Sequence, residues 1–203
     1  MWIKVCGVTR VEDALALADA GVDALGLNFI PSSRRRVAEP EARRIVEAVG
    51  DRVEAVGVVA DLSAPELRRL AQAVGLHWLQ LHGSEPASLL SALGERAYKA
   101  VRIGSAADVE LAATYPGERL LVDAKVDGTL GGAGVTFDWE LVATLVASRP
   151  VILAGGLGPG NVAAAVARLH PWGIDVASGV EVQGHPGRQD LDKVKALVAA
   201  TRG

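Results

Sequence analysis

The stretch Glu54–Gly75, EAVGVVADLSAPELRRLAQAVG, holds one complete strand-and-helix unit and indicates how the whole chain is organised. Apart from Glu54, its first six residues are apolar and rich in valine, which is typical of a buried strand. Ser63, Pro65 and Glu66 then form a helix start, with Ser at the N-cap and Glu three residues later. Apolar residues recur at three- and four-residue spacing beyond them, and Gly75 is placed to end the helix.

Outward from this unit, the same pattern of a strand followed by a helix occurs eight times. The predicted strands are Trp2–Cys6, Ala24–Phe29, Glu54–Val59, Trp78–Leu81, Tyr98–Arg102, Leu120–Asp123, Val151–Ala154 and Gly173–Ala177. The predicted helices are Arg10–Ala20, Pro40–Val49, Ala64–Val74, Pro86–Leu93, Ser105–Thr114, Asp138–Ala147, Pro159–Leu169 and Gln189–Ala200. Alternating strands and helices give a parallel sheet, and eight such units close a single (β/α)8 TIM barrel.

The alternative architecture is an open, doubly wound sheet, which would bind a ligand at one switch point only. Polar residues end many of the predicted strands, and a barrel would gather all of those ends on one rim. The sequence therefore favours an α/β barrel of the short form, with about 25 residues per unit. Residues 1–203 are expected to form one domain, because no length remains for a second.

Composition narrows the class of partner. Half of the residues are hydrophobic and the net charge is −3, without a basic stripe or an acidic tail. This balance argues against nucleic acid or an anionic membrane as a partner. No apolar run approaches the roughly 20 residues of a spanning helix, and no basic leader precedes the first strand. A lone cysteine forms no intrachain disulfide, so a cytoplasmic protein is expected.

The carboxyl ends of the strands build the active site of a barrel. In chain order these ends carry Cys6, Asn28, His82, Arg102, Asp123, Gly155 with Gly156, and Asp175. Most lone cysteines are small buried hydrophobes. Cys6, however, shares a strand face with Lys4, and we expect that cation to lower the pKa of the thiol and favour the thiolate.

Asp123 follows three apolar residues, and partial burial would raise its pKa and suit a general acid. A helix cap or an ion pair with Lys125 is the alternative, and Asp127 more simply faces solvent. His82 follows Gln80 on one strand face, where a neutral imidazole can contact an anionic or aromatic group or serve structure alone. No cluster has metal-ligand spacing, so neither a metal nor a cofactor is expected.

Three loops suggest an anionic ligand. The loop IPSSRRRV offers Arg34–Arg36, a solvated charge run unless one guanidinium clamps a carboxylate. Glycine turns at Gly155-Gly156 and at Ser178-Gly179 follow the last two strands, where barrels of this kind bind phosphate; tight turns are the alternative. The glycine-rich segment DAKVDGTLGGAGVTFDW suits a lid.

The chain resembles the phosphoribosylanthranilate isomerase family of tryptophan biosynthesis along its whole length. Seven segments carry the resemblance in order: KVCGVT, ALGLNFIPSSRR, LQLHG, LLVDAK, GGAGVTFDW, LAGGLGPGNV and DVASGVE. The resemblance implies an Amadori rearrangement of N-(5'-phosphoribosyl)anthranilate to 1-(2-carboxyphenylamino)-1-deoxyribulose 5-phosphate. It also implies a phosphorylated small-molecule substrate and a homodimer as one of the oligomeric states found in the family.

The resemblance further implies a role for each matching residue. Cys6 would be the general base and Asp123 the general acid, with pKa values pushed toward neutrality from opposite sides. Arg35 would bind the anthranilate carboxylate, with Arg34 and Arg36 left open by one position. The other implied contacts are His82 at the anthranilate, Asp175 near the sugar, and Gly155, Gly156, Ser178 and Gly179 at the phosphate. The alternatives are a differently specific phosphate-binding barrel and a barrel that binds without catalysis.

Overall fold

The computed structural model describes residues 1–123 and 140–203, and in these residues eight strands alternate with eight α-helices. The strands are β1 Trp2–Cys6, β2 Ala24–Asn28, β3 Glu54–Val59, β4 Trp78–Leu81, β5 Ala97–Arg102, β6 Leu120–Asp123, β7 Val151–Ala154 and β8 Gly173–Val176. The helices are α1 Val11–Asp19, α2 Glu39–Val49, α3 Ala64–Val74, α4 Ala87–Leu93, α5 Ala106–Thr114, α6 Glu140–Ser148, α7 Val162–Leu169 and α8 Leu191–Arg202. Short 3-10 turns lie at Gly50–Arg52 and Ser178–Val180.

The sheet closes on itself in strand order. Every strand pairs in parallel with its sequence neighbour, and β1 also pairs with β8 through the register Lys4↔Asp175. The predicted (β/α)8 barrel is confirmed, and the open doubly wound alternative is excluded by this last pairing.

Two apolar cores follow from the closure. The larger core lies between the sheet and the helices, because alternate strand residues face outward and meet the apolar faces of the helices. The smaller one fills the barrel with residues of the opposite strand face, among them Val56, Tyr98, Leu121 and Ile152. The barrel is therefore packed, and open space for a ligand is left at a strand end rather than through its axis.

Helix ends match the sequence signals where the capping chemistry is local. Helix α3 has the predicted bounds, because Glu66 accepts a hydrogen bond from the Ser63 N–H at 2.8 Å and Gly75 adopts the left-handed φ of 81°. Helix α7 begins at Val162 rather than at the predicted Pro159. The predicted start of the sixth helix at Asp138 lies outside the described residues.

An aromatic cluster lies at the amino-terminal ends of the strands. Arg119 stacks on Trp78 at 3.9 Å, on Trp172 at 4.6 Å and on Trp2 at 5.5 Å, measured to the ring centroids. Glu54 accepts hydrogen bonds from Arg119 at 3.2 Å and from two of the indoles at 3.1 Å each. This cluster, the Arg119 plug, covers that end of the barrel.

Within the described ranges, no helix is long and apolar enough to cross a membrane.

Candidate active site

A cavity of about 650 Å³ opens at the carboxyl ends of the strands. Its size is within the range of small-molecule sites. Every strand contributes at least one lining residue at or near its end: Cys6, Asn28, Val58, Gln80, Arg102, Asp123, Ala154 and Asp175. The polar strand ends that the sequence singled out are therefore gathered around one space.

Cys6 ends β1 with its side chain half-buried in the cavity wall. The buried Lys4 ammonium acts electrostatically on the sulfur. Gly26 on β2 leaves room for both groups, since a Cβ there would lie 2.9 Å from Sγ and 3.0 Å from Lys4 Nζ. The structure thus brings a thiol and a cation together at the end of one strand.

Burial raises the pKa of the Cys6 thiol, and Lys4 offsets that rise only in part. The expected net lowering of this pKa is therefore wrong. The cation acts in the predicted direction, but the loss of water around the sulfur outweighs it, and the negative charge of Asp175 adds to the rise. At neutral pH the resting group is a thiol, and its thiolate, once formed, is a stronger base than an exposed one.

Lys4 and Asp175 form a buried ion pair under the cavity. Lys4 Nζ donates to Asp175 Oδ2 at 2.9 Å, and the side chains are 0% and 8% exposed. Burial alone would lower the pKa of Lys4, but the attraction of Asp175 raises it, so the ammonium stays charged. Asp175 Oδ1 is buried and accepts no hydrogen bond from the described residues.

Asp123 ends β6 and lines the cavity with its side chain half-buried. It lies beside Ala154 of β7 and Arg102 of β5 in the sheet register, and its charge acts on the imidazole of His82. Lys125, Asp127 and the predicted lid lie outside the described residues.

Arg35 is the arginine of its loop that lines the cavity, whereas Arg34 and Arg36 are exposed. Its Nε and Nη2 both donate at 2.6 Å to the two carboxylate oxygens of Glu181. Glu181 is 6% exposed and also accepts from the Gly187 N–H at 2.7 Å. The loop after β2 is therefore tied to the chain that follows β8.

His82 lies just beyond β4 and is bonded to Gln80 of that strand. The turn that carries it is fixed from below by Glu85, which accepts from the Gly83 N–H at 2.9 Å and pairs with Lys99 at 3.1 Å. Both members of this pair are buried. The remaining histidines, His77, His170 and His185, do not line the cavity.

Two glycine turns, which follow β7 and β8, meet at one side of the cavity. Gly155 and Gly156 have φ of 101° and 62°, which favour glycine, and they line the cavity together with Ser178. Gly179 does not line it. A Cβ at Gly179 would collide with the carbonyl oxygen of Leu157, so this glycine allows the two late loops to touch backbone to backbone.

Asn161 holds the first of these turns in place. Its Oδ1 accepts from the Gly158 N–H at 2.8 Å and its Nδ2 donates to the Gly156 carbonyl at 3.0 Å. These bonds fold the Gly-Pro-Gly stretch into a loop and delay the start of α7.

Sequence reasoning missed three residues that shape the site: Glu181, Asn161 and Lys99. Signals for them were present. A lysine inside the apolar run AYKAV predicts a buried cation that needs a partner, and Glu181 closes the segment DVASGVE. Glu181 and Lys99 have partners in other loops, Arg35 and Glu85, which local patterns cannot identify.

Closed-barrel geometry and a polar cavity at the carboxyl ends of the strands define a (β/α)8-barrel enzyme. The profile of the family described as N-(5'phosphoribosyl)anthranilate (PRA) isomerase matches residues 3–200. The chain belongs to this family.

Individual relatives of this chain carry the same family name. The N-(5'-phosphoribosyl)anthranilate isomerase of Myxococcus xanthus is 45% identical over 205 residues, which cover 98% of this chain and 95% of that protein. A crystal structure of a phosphoribosyl anthranilate isomerase in complex with reduced 1-(o-carboxyphenylamino)-1-deoxyribulose 5-phosphate is 34% identical, with a TM-score of 0.88 over 100% of this chain and 99% of that one. A structure of monomers generated from the dimeric isomerase of Thermotoga maritima is also 34% identical, with a TM-score of 0.86 and the same coverage.

Proposed function

We propose that the cavity at the carboxyl ends of the strands is the active site in which this isomerase of tryptophan biosynthesis rearranges N-(5'-phosphoribosyl)anthranilate. The product is 1-(2-carboxyphenylamino)-1-deoxyribulose 5-phosphate. The observation that carries the proposal is the presence of Cys6 and Asp123 in the wall of one cavity, at the ends of β1 and β6. Residues 1–203 act in this proposal as one catalytic domain.

Asp123 is the general acid. Its carboxyl gives a proton to the furanose ring oxygen while the C1'–O bond breaks and the anthranilate nitrogen lone pair forms a C=N bond. The result is an open-chain Schiff base. Its position at the end of β6, in the cavity wall, lets this carboxyl reach the substrate.

Cys6 is the general base. Its thiolate removes the proton from C2', and the electron pair of that C–H bond forms the C1'=C2' double bond as the iminium nitrogen is neutralised. The enolamine then tautomerises to the ketone. Atoms and electrons balance without an added oxidant or reductant, and the Lys4 ammonium limits the cost of ionising the buried sulfur.

Three further residues orient the substrate in this proposal. The end of the Arg35 guanidinium that Glu181 leaves free binds the anthranilate carboxylate. His82 lines the anthranilate side, and the unbonded Oδ1 of Asp175 accepts a hydrogen bond from a sugar hydroxyl.

The phosphate binds at the two late loops. Gly155, Gly156 and Ser178 form its side of the cavity, where small residues allow a close approach to the backbone. Gly179 contributes by holding the two loops together. In this proposal the phosphate side adjoins the loop of Arg35, because Glu181, the partner of Arg35, follows Ser178 in the same segment.

The test is turnover of phosphoribosylanthranilate, followed by the loss of its fluorescence. We expect Cys6→Ser and Asp123→Asn each to lower kcat by at least about 100-fold with a modest change in KM, since each removes a proton-transfer group. Asp192→Asn, an exposed position on α8, is the matched control and should retain the wild-type rate.

Near-normal rates in both variants would contradict the assignment of base and acid. A wild-type chain that binds the substrate analogue but does not turn the substrate over would instead show a barrel that binds without catalysis.

We also propose that the enzyme works in the cytoplasm and as a homodimer. The first proposal rests on the free Cys6 thiol, which must stay reduced to act as a base. The second rests on the relation to the dimeric Thermotoga maritima protein. Sedimentation of the purified chain, which separates one copy from two, tests the second.

A further inference from the structure

A chain of hydrogen bonds runs from inside the barrel to the cavity. The Tyr98 hydroxyl donates to Gln80 Oε1 at 3.2 Å, and Gln80 Nε2 lies 3.2 Å from His82 Nδ1. Tyr98 is fully buried and Gln80 is 1% exposed, so neither exchanges its partner for water. His82, at the cavity wall, is the end of this chain.

The direction of the chain follows from the cation beneath it. The Lys4 ammonium acts electrostatically on Tyr98, and a hydroxyl near a cation turns its lone pairs toward the charge and its proton away. The proton of Tyr98 then points to the carbonyl oxygen of Gln80. The amide group of Gln80 has a single carbonyl oxygen, so its NH2 end faces His82.

An amide NH2 only donates, so His82 Nδ1 must accept and cannot carry a proton. We propose that Gln80 and Tyr98 are positioning residues that hold His82 as the neutral Nε2–H tautomer. In this state the ring offers a hydrogen-bond donor to the cavity and keeps its basic lone pair turned away from the substrate.

The charged groups that act on His82 fit a neutral ring. Burial lowers the pKa of His82, and the positive charges of Lys4 and Arg102 lower it further. The negative charges of Asp123 and Asp175 raise it, but the net effect is a lowering. A neutral donor can bind an oxygen of the substrate without competing with Asp123 for a proton.

The inference rests on the proposed function for its consequence only. If His82 shows the cavity an N–H and no lone pair, it cannot remove the C2' proton and does not compete with Cys6 for the role of base. The tautomer itself can be measured without any turnover, so a failed activity assay and a failed tautomer assignment are separate results.

The test is a long-range proton–nitrogen NMR spectrum of the full chain labelled with 15N in its four histidines. The His82→Asn variant identifies the His82 signals by their loss. We expect the wild type to show a protonated Nε2 and an unprotonated Nδ1 for His82, with that tautomer in about tenfold excess or more, as one well-formed hydrogen bond allows. A protonated Nδ1 at neutral pH overturns the proposal.

Two variants show whether the chain sets the tautomer. Gln80→Glu replaces the donor beside Nδ1 with a carboxylate, and we expect the Nδ1 signal to become that of a protonated nitrogen. Tyr98→Phe removes the group that orients the amide, and we expect the tautomer excess to fall. Gln72→Glu, an exposed position on α3, adds the same charge as control and should leave the His82 signals unchanged.

If Gln80→Glu folds with the wild-type His82 spectrum, Gln80 does not set the tautomer and the proposal is wrong. If that variant does not fold, the decision rests on the wild-type spectrum and on Tyr98→Phe. An unchanged tautomer excess in Tyr98→Phe also overturns the role of the chain.

Discussion

Glu181 holds Arg35 along the edge formed by Nε and Nη2, and the other end of the guanidinium keeps its donors. Because the five N–H groups of arginine lie in one plane, fixing one edge also fixes the direction of the free end. A carboxylate of the substrate would therefore meet a donor pair that is already oriented, at little further cost in side-chain entropy.

Replacing Arg35 by lysine tests this at a single residue. We expect Arg35→Lys to raise KM by about tenfold or more with a smaller change in kcat, because a lysine cannot bond Glu181 and the substrate with two parallel donor pairs. Arg34→Lys and Arg36→Lys are the matched controls, since both side chains are exposed, and steady-state kinetics should not distinguish them from the wild type. A rise in KM for either control, with none for Arg35→Lys, would show that a different arginine binds the carboxylate.

The sequence predicts well which strand-end residues line the cavity, and it predicts their pKa values poorly. Cys6 and Asp123 could be singled out because polar groups at strand ends are few and a barrel brings them together. The direction of the Cys6 pKa shift could not be predicted, because burial and Asp175 raise this pKa while Lys4 lowers it. Strand alternation shows only that Lys4 is a neighbour of Cys6. Glu181, 146 positions from Arg35, is invisible to any local pattern.

The two late loops act as one element. Gly179, in the 3-10 turn after β8, packs against the Leu157 carbonyl in the loop after β7, and Asn161 fixes the rest of that loop. The side of the cavity that we propose for the phosphate thus depends on a backbone-to-backbone contact that admits no Cβ.

Gly179→Ala tests that contact. Neither backbone can move freely, so we expect a loss of about 1–3 kcal/mol in the free energy of unfolding and a higher KM for the phosphorylated substrate. Gly160→Ala is the matched control in the same loop, because a Cβ there meets nothing within 4 Å. Urea denaturation and steady-state kinetics measure both effects, and equal behaviour of the two variants would contradict the account of the loops.

Helix bounds show which elements local sequence specifies. The start of α3 is encoded within four residues by Ser63 and Glu66, and its predicted bounds are right. The start of α7 depends on Asn161, whose amide bonds the preceding loop, and the proline that suggested an earlier start lies inside that loop. Where the N-cap side chain bonds the preceding loop and not its own helix, composition alone places the start of the helix too early.

At the scale of the whole molecule, the two ends of the barrel have different tasks. Closure of eight strands was predictable from their number and spacing, and it separates the ends. The Arg119 plug covers the amino-terminal end, where residues of this fold contribute to stability, and the cavity occupies the other. The plug was not predictable, because its members Trp2, Trp78 and Trp172 are far apart in sequence.

Arg119→Leu should therefore affect stability and not catalysis. We expect it to lower the free energy of unfolding by about 1–3 kcal/mol, through the loss of cation–π contacts and of the bond to Glu54, and to leave kcat/KM within about twofold of the wild type. Arg43→Leu, an exposed position on α2, is the control for removal of a surface charge. Thermal or urea denaturation beside the turnover assay decides the matter, and a large loss of kcat with unchanged stability would be the contrary result.

The central claim is that one sulfur provides the base and that its ionisation limits the reaction at low pH. The most direct measurement is the pH dependence of kcat/KM, compared with the ultraviolet titration of the lone thiol, with Cys6→Ser as the blank. In the wild type, a titrating general acid would offset the gain of thiolate, so the profile is measured in Asp123→Asn, whose amide does not titrate. Because burial raises the pKa of Cys6, we predict that the residual kcat/KM of this variant climbs as pH rises, through the pKa at which the thiolate forms. A rate that rises through a pKa more than about one unit away from that of the thiol would mean that another group removes the C2' proton.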